Sequence, residues 1–239
     1  MASDRGKCAL GGSYEFRPPP TGTGQRGRRR VRPWLFRKTD KGLPQYRDAE
    51  ESDVFILSGA EDLVPVLKPD GTRFKDDTTF PGYLIHRYRP RIEGLFACIE
   101  RWTSRSDGDV HWRSISKDNV LTIYGKDANS RIADPVDPGR RSRIFSWLIS
   151  ETRDDKGNAV IYEYKPEDGA RIDLTQAHER NRGNRDDDSR GANRYQKRIK
   201  YGNRRSLLDG AGRRPQHLSK AQIDNSTFAQ NRIAPKIWG

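Results

Sequence analysis

A chain of 239 residues with 33% charged and 32% hydrophobic side chains, 22 glycines and 14 prolines lacks the apolar content for one compact core along its whole length. Its formal net charge of +13 sits at the ends: residues 1–47 hold 12 Lys/Arg against 3 Asp/Glu, residues 204–239 hold 7 against 2, and residues 48–203 hold 27 against 28. A neutral body argues against nucleic-acid binding by the foldable part, and two cysteines, Cys8 and Cys98, give neither a disulfide framework nor a C-x-x-C metal pair.

Residues 1–41 carry the run RPPPTGTGQRGRRR, which has no hydrophobic period and no interleaved aromatic before Trp34 and Phe36, and they read as a disordered basic arm. No apolar signal-peptide core follows Met1–Leu10 and no 18-residue apolar run occurs, so the expectation is no membrane span and export, if any, by a route other than Sec. From Leu43 the character changes. Val54–Leu57 is a short apolar strand, and Leu63–Leu67 is a second, placed at an edge or bulge by Pro65. Tyr83–Trp102 holds one strand on each side of Pro90; in the second, Leu95, Ala97, Ile99 and Arg101 share one face and Phe96, Cys98, Glu100 and Trp102 the other. Cys98 therefore reads as a small buried hydrophobe.

Asp109–Lys165 contains two hairpins in succession. Val110–Ser116 and Val120–Tyr124 alternate apolar and polar residues around Lys117-Asp118-Asn119, and Ile144–Ser150 and Ala159–Lys165 flank a turn in which Gly157 and Asn158 supply positive φ. Trp112, Tyr124, Trp147, Tyr162 and Tyr164 are the expected core. An isolated hairpin is marginal in water, so these ribbons need neighbours, expected beyond Gly239, and unpaired edges are expected in their absence. After Lys165 the sequence predicts a short helix over Ile172–Asn181 with Asp173 as N-cap, then a charged loop and a last strand at Tyr195–Tyr201. The organisation is thus a disordered arm (1–41), a β-rich domain (42–203) and a loose tail (204–239). In that tail Ile223, Phe228, Ile233, Ile237 and Trp238 dock only locally. The fold class is mainly β: an antiparallel hairpin meander, as a shell wall or sandwich-like fragment, with disordered basic termini.

Six ordered blocks, SDVFILSGAEDLVPVL, YRPRIEGLFACIERW, NVLTIYGKDANSRIADP, IFSWLISETRDDKGNAVIYEYK, DLTQAHERNR and ANRYQKRIKYGN, carry a resemblance over about Leu43 to Leu208. They are similar to the SpvB-type N-terminal region shared by the B components of insecticidal Tc toxins and the Salmonella virulence plasmid 65 kDa protein. The turn at Asp154 is also similar to the Tyr-Asp-x-x-Gly-Asn repeat of RHS shells, with Arg153 in place of Tyr, but it occurs once. In full-length members this region precedes more of the B component, including a β-propeller and RHS-type repeats, or an actin-modifying ADP-ribosyltransferase. The resemblance implies part of a β-strand shell that encloses a toxic segment. The implied partners are the remainder of the B component and the C and A components. The match fails at both ends, so a truncated or frameshifted member is expected.

Chemistry is sparse. An actin-modifying transferase of the resembled kind needs a Ser-Thr-Ser strand and a Glu-x-Glu pair; no Glu-x-Glu occurs, and Ser104/Ser106 and Ser114/Ser116 lack the intervening Thr. Asp154-Asp155 and Asp186-Asp187-Asp188 would hold Ca²⁺ only with further oxygens from a shaped loop, and read as solvated turns. His86, His111, His178 and His217 lack the i, i+4 spacing of a helical zinc pair, and no G-x-S-x-G elbow occurs. Trp102, Trp112 and Trp147, on alternating strands, read as core rather than as ligand-stacking surfaces. The expectation is therefore no catalytic, cofactor or metal site, no small-molecule substrate and no enzyme. The leading reading is a non-enzymatic structural fragment of a secreted toxin complex, exported by a non-Sec route or retained in the bacterial cytoplasm. A second reading is nucleic-acid binding through the basic arms. A third is the remnant of an ADP-ribosylating virulence toxin that lacks its catalytic domain.

Overall fold

Side chains that alternate across a pleated backbone give each strand one apolar and one polar face, and strands so patterned are stable only in company. The computed structural model describes residues 34–39, 42–50, 52–57, 62–92, 94, 96–135, 143–168, 172–173, 175–179, 191–203, 205–208, 212–213, 217–218 and 229–232. Among them run the strands β1 (Trp34–Arg37), β2 (Phe55–Leu57), β3 (Asp62–Pro65), β4 (Lys75–Asp76), β5 (Tyr83–Pro90), β6 (Cys98–Ser104), β7 (Val110–Ile115) and β8 (Leu121–Tyr124). They continue as β9 (Arg131–Ala133), β10 (Ile144–Arg153), β11 (Ala159–Pro166), β12 (Arg194–Tyr201) and β13 (Ala229–Arg232).

The strands pair antiparallel in the order β1-β2-β3-β5-β6-β7-β8-β10-β11-β12-β13, and β1 also pairs with β10. The first eight strands of that path therefore close into a barrel. Strand β10 is the junction. One edge takes β9 along Ile144–Trp147 and β8 along Ile149–Arg153; the other takes β1 along Ser146–Leu148 and β11 along Glu151–Arg153. A bulge between Ile149 and Glu151 lets the strand bend where its partners change. From there β11, β12 and β13 leave as a side sheet.

An eight-stranded barrel is just wide enough for its own side chains to fill. Leu35, Phe55, Leu57, Leu63, Tyr88, Ile99, Val110, Trp112, Tyr124, Ile144, Trp147 and Ile149 form that filling. Phe55 packs edge-on against Trp112 at 4.9 Å and against Tyr88 and Trp147 at 5.9 Å, contacts worth about 0.5–1.5 kcal/mol each beyond burial. The indole Nε1 of Trp147 donates to Val110 O at 3.0 Å, so its one polar atom is satisfied inside the core. Gly125, after β8, has φ +65°, and a Cβ there would stand 2.3 Å from Trp147 Cδ1, so only glycine lets the chain pass the indole.

The meander from β6 to β11 is as the sequence predicts. Four expectations need correction. The arm does not extend to residue 41 as disordered chain: Leu35 and Arg37 are both fully buried in β1, because a four-residue apolar alternation, too short to stand out behind a basic run, fills the gap between β2 and β10. Residues 1–33 lie outside the described residues. The hairpins do not await neighbours beyond Gly239, since β1 and β11 occupy the edge of β10. The tail is not wholly loose either. Leu218 is buried with Ala159 and Ile161, Leu207 packs beside it, and β13 extends the side sheet beyond the strand expected to be last. Ile223, Phe228, Ile233, Ile237 and Trp238 lie outside the described residues. In place of the helix at Ile172–Asn181, the described part forms one 3-10 turn, Ala177–Glu179. There the Asp173 carboxylate accepts from Thr175 N at 3.0 Å and Thr175 Oγ1 at 2.7 Å, an Asx turn that competes with helix.

If β1 is a stave of the barrel, Leu35→Ala lowers unfolding stability by about 2–5 kcal/mol. Urea denaturation measures this, and a loss below about 1 kcal/mol would mean that Leu35 is not core.

Candidate functional site

Two polar clusters interrupt the apolar core. At one end of the barrel, Arg37 is completely buried. Its Nη1 donates to Asp48 Oδ1 at 2.6 Å and to Asp53 Oδ2 at 2.8 Å, and its Nε donates to Ile144 O at 2.8 Å. The guanidinium lies 4.8 Å from the Tyr46 ring, 5.1 Å from Phe55 and 5.5 Å from Trp147. Arg101 joins by donating from Nη2 to Asp48 Oδ2 at 2.6 Å. Burial pushes the Asp48 carboxyl up, but the Arg37 hydrogen bond and the charges of Arg101 and Arg37 outweigh it and hold the group below the ordinary carboxylate range. Asp53 also accepts from the Gln45 and Tyr46 amides at 2.8 Å, which anchors the loop before β2.

The second cluster lies on the outer face of β6, β7, β8 and β10. Arg113 stacks 3.6 Å over the Trp102 ring and donates from Nε to His111 Nε2 at 3.1 Å. Its Nη2 lies 3.3 Å from His217 Nε2. A guanidinium has no lone pair to offer, so both imidazoles turn a bare Nε2 to it and carry their proton on Nδ1. Burial and then the Arg113 charge push His111 well below its ordinary pKa, and the same two causes bring His217 down to about 4. Nearby, Glu151 is buried between Arg153 and Lys126, whose Nζ donates to it at 2.9 Å. Tyr83, Ser104, Ser106, His111, Lys126 and His217 line an open pocket of about 330 Å³ there.

The residues weighed for chemistry are not brought together. Ser104 and Ser106 share a hydrogen bond of 2.9 Å at the rim of that pocket, Ser114 bonds Tyr124 OH at 3.3 Å inside the barrel, and Ser116 accepts from Val120 N in the turn. Asp154 accepts from the Lys156 and Asn158 amides at 2.9 and 2.8 Å and so shapes its turn; Asp155 is exposed, and Asp186, Asp187 and Asp188 lie outside the described residues. Among the described residues no three His, Cys, Asp or Glu side chains gather to hold a metal ion. His178 is exposed beside Glu179 at 3.6 Å. His86 faces the barrel mouth, where burial, then Arg73 and Arg101, lower it to about 4. Trp112 and Trp147 are core, while Trp102 is buried on the outer face under Arg113. Cys98 is half-buried rather than buried, with its Sγ 3.8 Å from Glu100 Oε1. The sequence reading passed over Arg37, Asp48, Asp53, Arg101 and Arg113. One signal was available: Arg101 falls on the Ile99 face of β6, and a charge on an apolar face demands a buried partner.

Comparison with known proteins places these features in a family. The family of the Salmonella virulence plasmid 65kDa B protein, SpvB, matches residues 29–233. The mono(ADP-ribosyl)transferase SpvB of Salmonella typhimurium is 32% identical over 182 residues, which cover 73% of this chain and 29% of that protein, and the Salmonella enteritidis protein matches to the same extent. This chain thus spans less than a third of the length of those curated relatives. Among solved structures, the N-terminal domain of effector protein SpvB from Salmonella typhimurium strain LT2 superposes with a TM-score of 0.62 at 27% identity, covering 84% of this chain and 58% of that one. The TcdB2-TccC3-TEV structure gives 0.60 at 25%, covering 80% and 8%. The Photorhabdus luminescens Tc holotoxin pore gives 0.58 at 23%, a likeness of fold alone, over 81% and 8%.

His86, His111 and His217 all contribute to the acid side of stability. Each binds its proton less readily when folded than at the ordinary value of 6.5. The unfolded chain therefore protonates first, stability is full above about pH 6.5, and it falls as pH drops toward 4. In thermal melts from pH 7 to 4, His86→Gln is expected to flatten that decline by about 1–2 kcal/mol at pH 4.5. An unchanged slope would show that His86 does not stay neutral in the fold.

Proposed function

Because the chain belongs to the SpvB family, we propose that it is a non-enzymatic structural region of a toxin-complex B component, one section of a β-strand shell that encloses and delivers a toxic segment. The family match over residues 29–233 carries this reading, together with likeness in fold to the SpvB N-terminal domain and to the TcdB2-TccC3 assembly. The chemistry of the site agrees with it. Several buried charges serve one another: Arg37 and Arg101 hold Asp48, Arg131 holds Asp109, and Arg153 and Lys126 hold Glu151. Groups so engaged brace strands and are poorly placed to attack or protonate a substrate.

In this proposal the partners are further B, C and A components of the toxin complex, and delivery out of the cell proceeds by a non-Sec route. The curated relatives are named as mono(ADP-ribosyl)transferases, yet this chain covers 29% of them and matches the SpvB N-terminal domain. ADP-ribosylation is assigned here to the remainder of such proteins. Among the described residues no helix is long and apolar enough to cross a membrane.

Incubated with NAD and actin, the chain is expected to release no nicotinamide and transfer no label above a blank. Labelling or NAD hydrolysis that disappears in Trp147→Ala, a core truncation expected to unfold the barrel, would overturn the scaffold reading. Binding of duplex or single-stranded nucleic acid that vanishes with salt and with deletion of residues 1–33, which spares β1, would instead support the basic-arm reading.

A further inference from the structure

The mouth of the barrel contains a cavity of about 140 Å³ between β2, β3, β5 and β6, and its wall includes Arg73, Arg91 and Arg101 against Asp48 and Asp53. Both aspartates are already engaged, Asp48 by Arg37 and Arg101 and Asp53 by Arg37 and the Gln45 and Tyr46 amides. Among the described residues, Arg91 reaches a carboxylate at 3.6 Å, in Asp62, which Lys38 holds at 2.8 Å. Arg73 lies over the Tyr88 ring and donates to its hydroxyl, which fixes the guanidinium at the cavity wall.

Hydrogen bonding is incomplete at the same level of the barrel. The Arg101 side chain is only 9% exposed, and its Nε has no partner among the described residues. His86 and Trp112 are the residues paired directly with Arg101 on the two flanking strands, and His86 Nδ1 and Trp112 Nε1 are likewise buried without a partner. A buried polar atom left unpaired costs about 1–3 kcal/mol. Of the three, Arg101 Nε belongs to a residue that lines the cavity, and a guanidinium N–H can be satisfied only by an acceptor.

We propose that this cavity is a binding site for a carboxylate, docked on the Nε face of Arg101 with Arg73 and Arg91 at the wall. The planar donor fork of arginine matches a carboxylate through two parallel hydrogen bonds. The space exceeds the ~30 Å³ share of one water and admits a carboxylate with a short carbon stem. Arg73, Arg91 and Arg101 outnumber Asp48 and Asp53 on the cavity wall, so the wall carries net positive charge. The ligand is a free small carboxylic acid or the acidic side chain of a peptide segment, and the two share the same contacts.

The test uses the intact ¹⁵N-labelled chain and follows the arginine Nε–H resonance of Arg101, assigned by its loss in Arg101→Lys. Propionate is expected to shift it saturably at millimolar concentration, while propionamide, its neutral isostere, leaves it in place. Arg73→Gln, which spares the Arg37 network and whose fold is checked by its amide spectrum, weakens propionate binding about tenfold. A blocked Gly-Glu-Gly peptide that saturates the shift at lower concentration than propionate identifies a peptide segment as the source; propionate alone identifies a free acid. An equal response to propionamide, a shift that never saturates with either probe, or unchanged binding in Arg73→Gln overturns the proposal.

Discussion

The barrel depends on how one guanidinium is buried. Removing a charged side chain from water costs several kcal/mol unless partners surround it, and Arg37 is fully buried with a bidentate aspartate, a second aspartate and a backbone carbonyl as its partners. Strand β1 can enter the ring only if the segment carrying Asp48 and Asp53 folds over the barrel end. That segment leads directly into β2, whose Phe55 pairs with Arg37. Closing the ring and ordering the loop are therefore one event. Loss of either partner leaves an uncompensated buried charge, a penalty of about 3–5 kcal/mol.

Around that closure the strands divide their two faces between different materials. Inward, aromatic and aliphatic side chains fill the ring about Phe55, Trp112 and Trp147. Outward, Trp102, His111, Arg113 and Glu151 make a polar layer. Onto that side the chain returns late in its course. Leu207 N donates to Gly157 O at 2.9 Å, Ala159 N donates to Asn203 Oδ1 at 2.8 Å, and Leu218 packs on Ala159 and Ile161. The late segment is thus fastened to the start of the side sheet, and Arg113 beside His217 and Lys126 Nζ donating to Leu218 O tie it to the barrel. The family match over residues 29–233 takes in both the barrel and its extension.

What the sequence made legible was period and local turn chemistry. The hairpins β7/β8 and β10/β11 stand out because apolar alternation brackets short turns, with Asn119 at φ 57° and Gly157 at φ 83° reversing the chain. Strand alternation tells which face a residue takes but not which strand lies beside it, so the pairing of Leu35 with Trp147 was hidden. Four residues after a long basic run give too little pattern to separate β1 from the arm. The candidate sites were harder still. Asp48 and Asp53 look like an acidic surface patch until Arg37 and Arg101 are brought to them from two other strands. The link between His111 and His217 spans the barrel and the late strap, and nothing local announces it. The family blocks were visible because they follow the strands of the meander.

Native-state hydrogen exchange of the β1 amides tests the closure most directly. If Trp34–Arg37 is a stave locked by Asp48 and Asp53, its hydrogen-bonded amides exchange only through global unfolding, with the same opening free energy as those of β7 in the centre of the sheet. Exchange of β1 through local opening at native conditions, orders of magnitude faster than β7 while β7 stays protected, would contradict a closed barrel and leave an open sheet in its place.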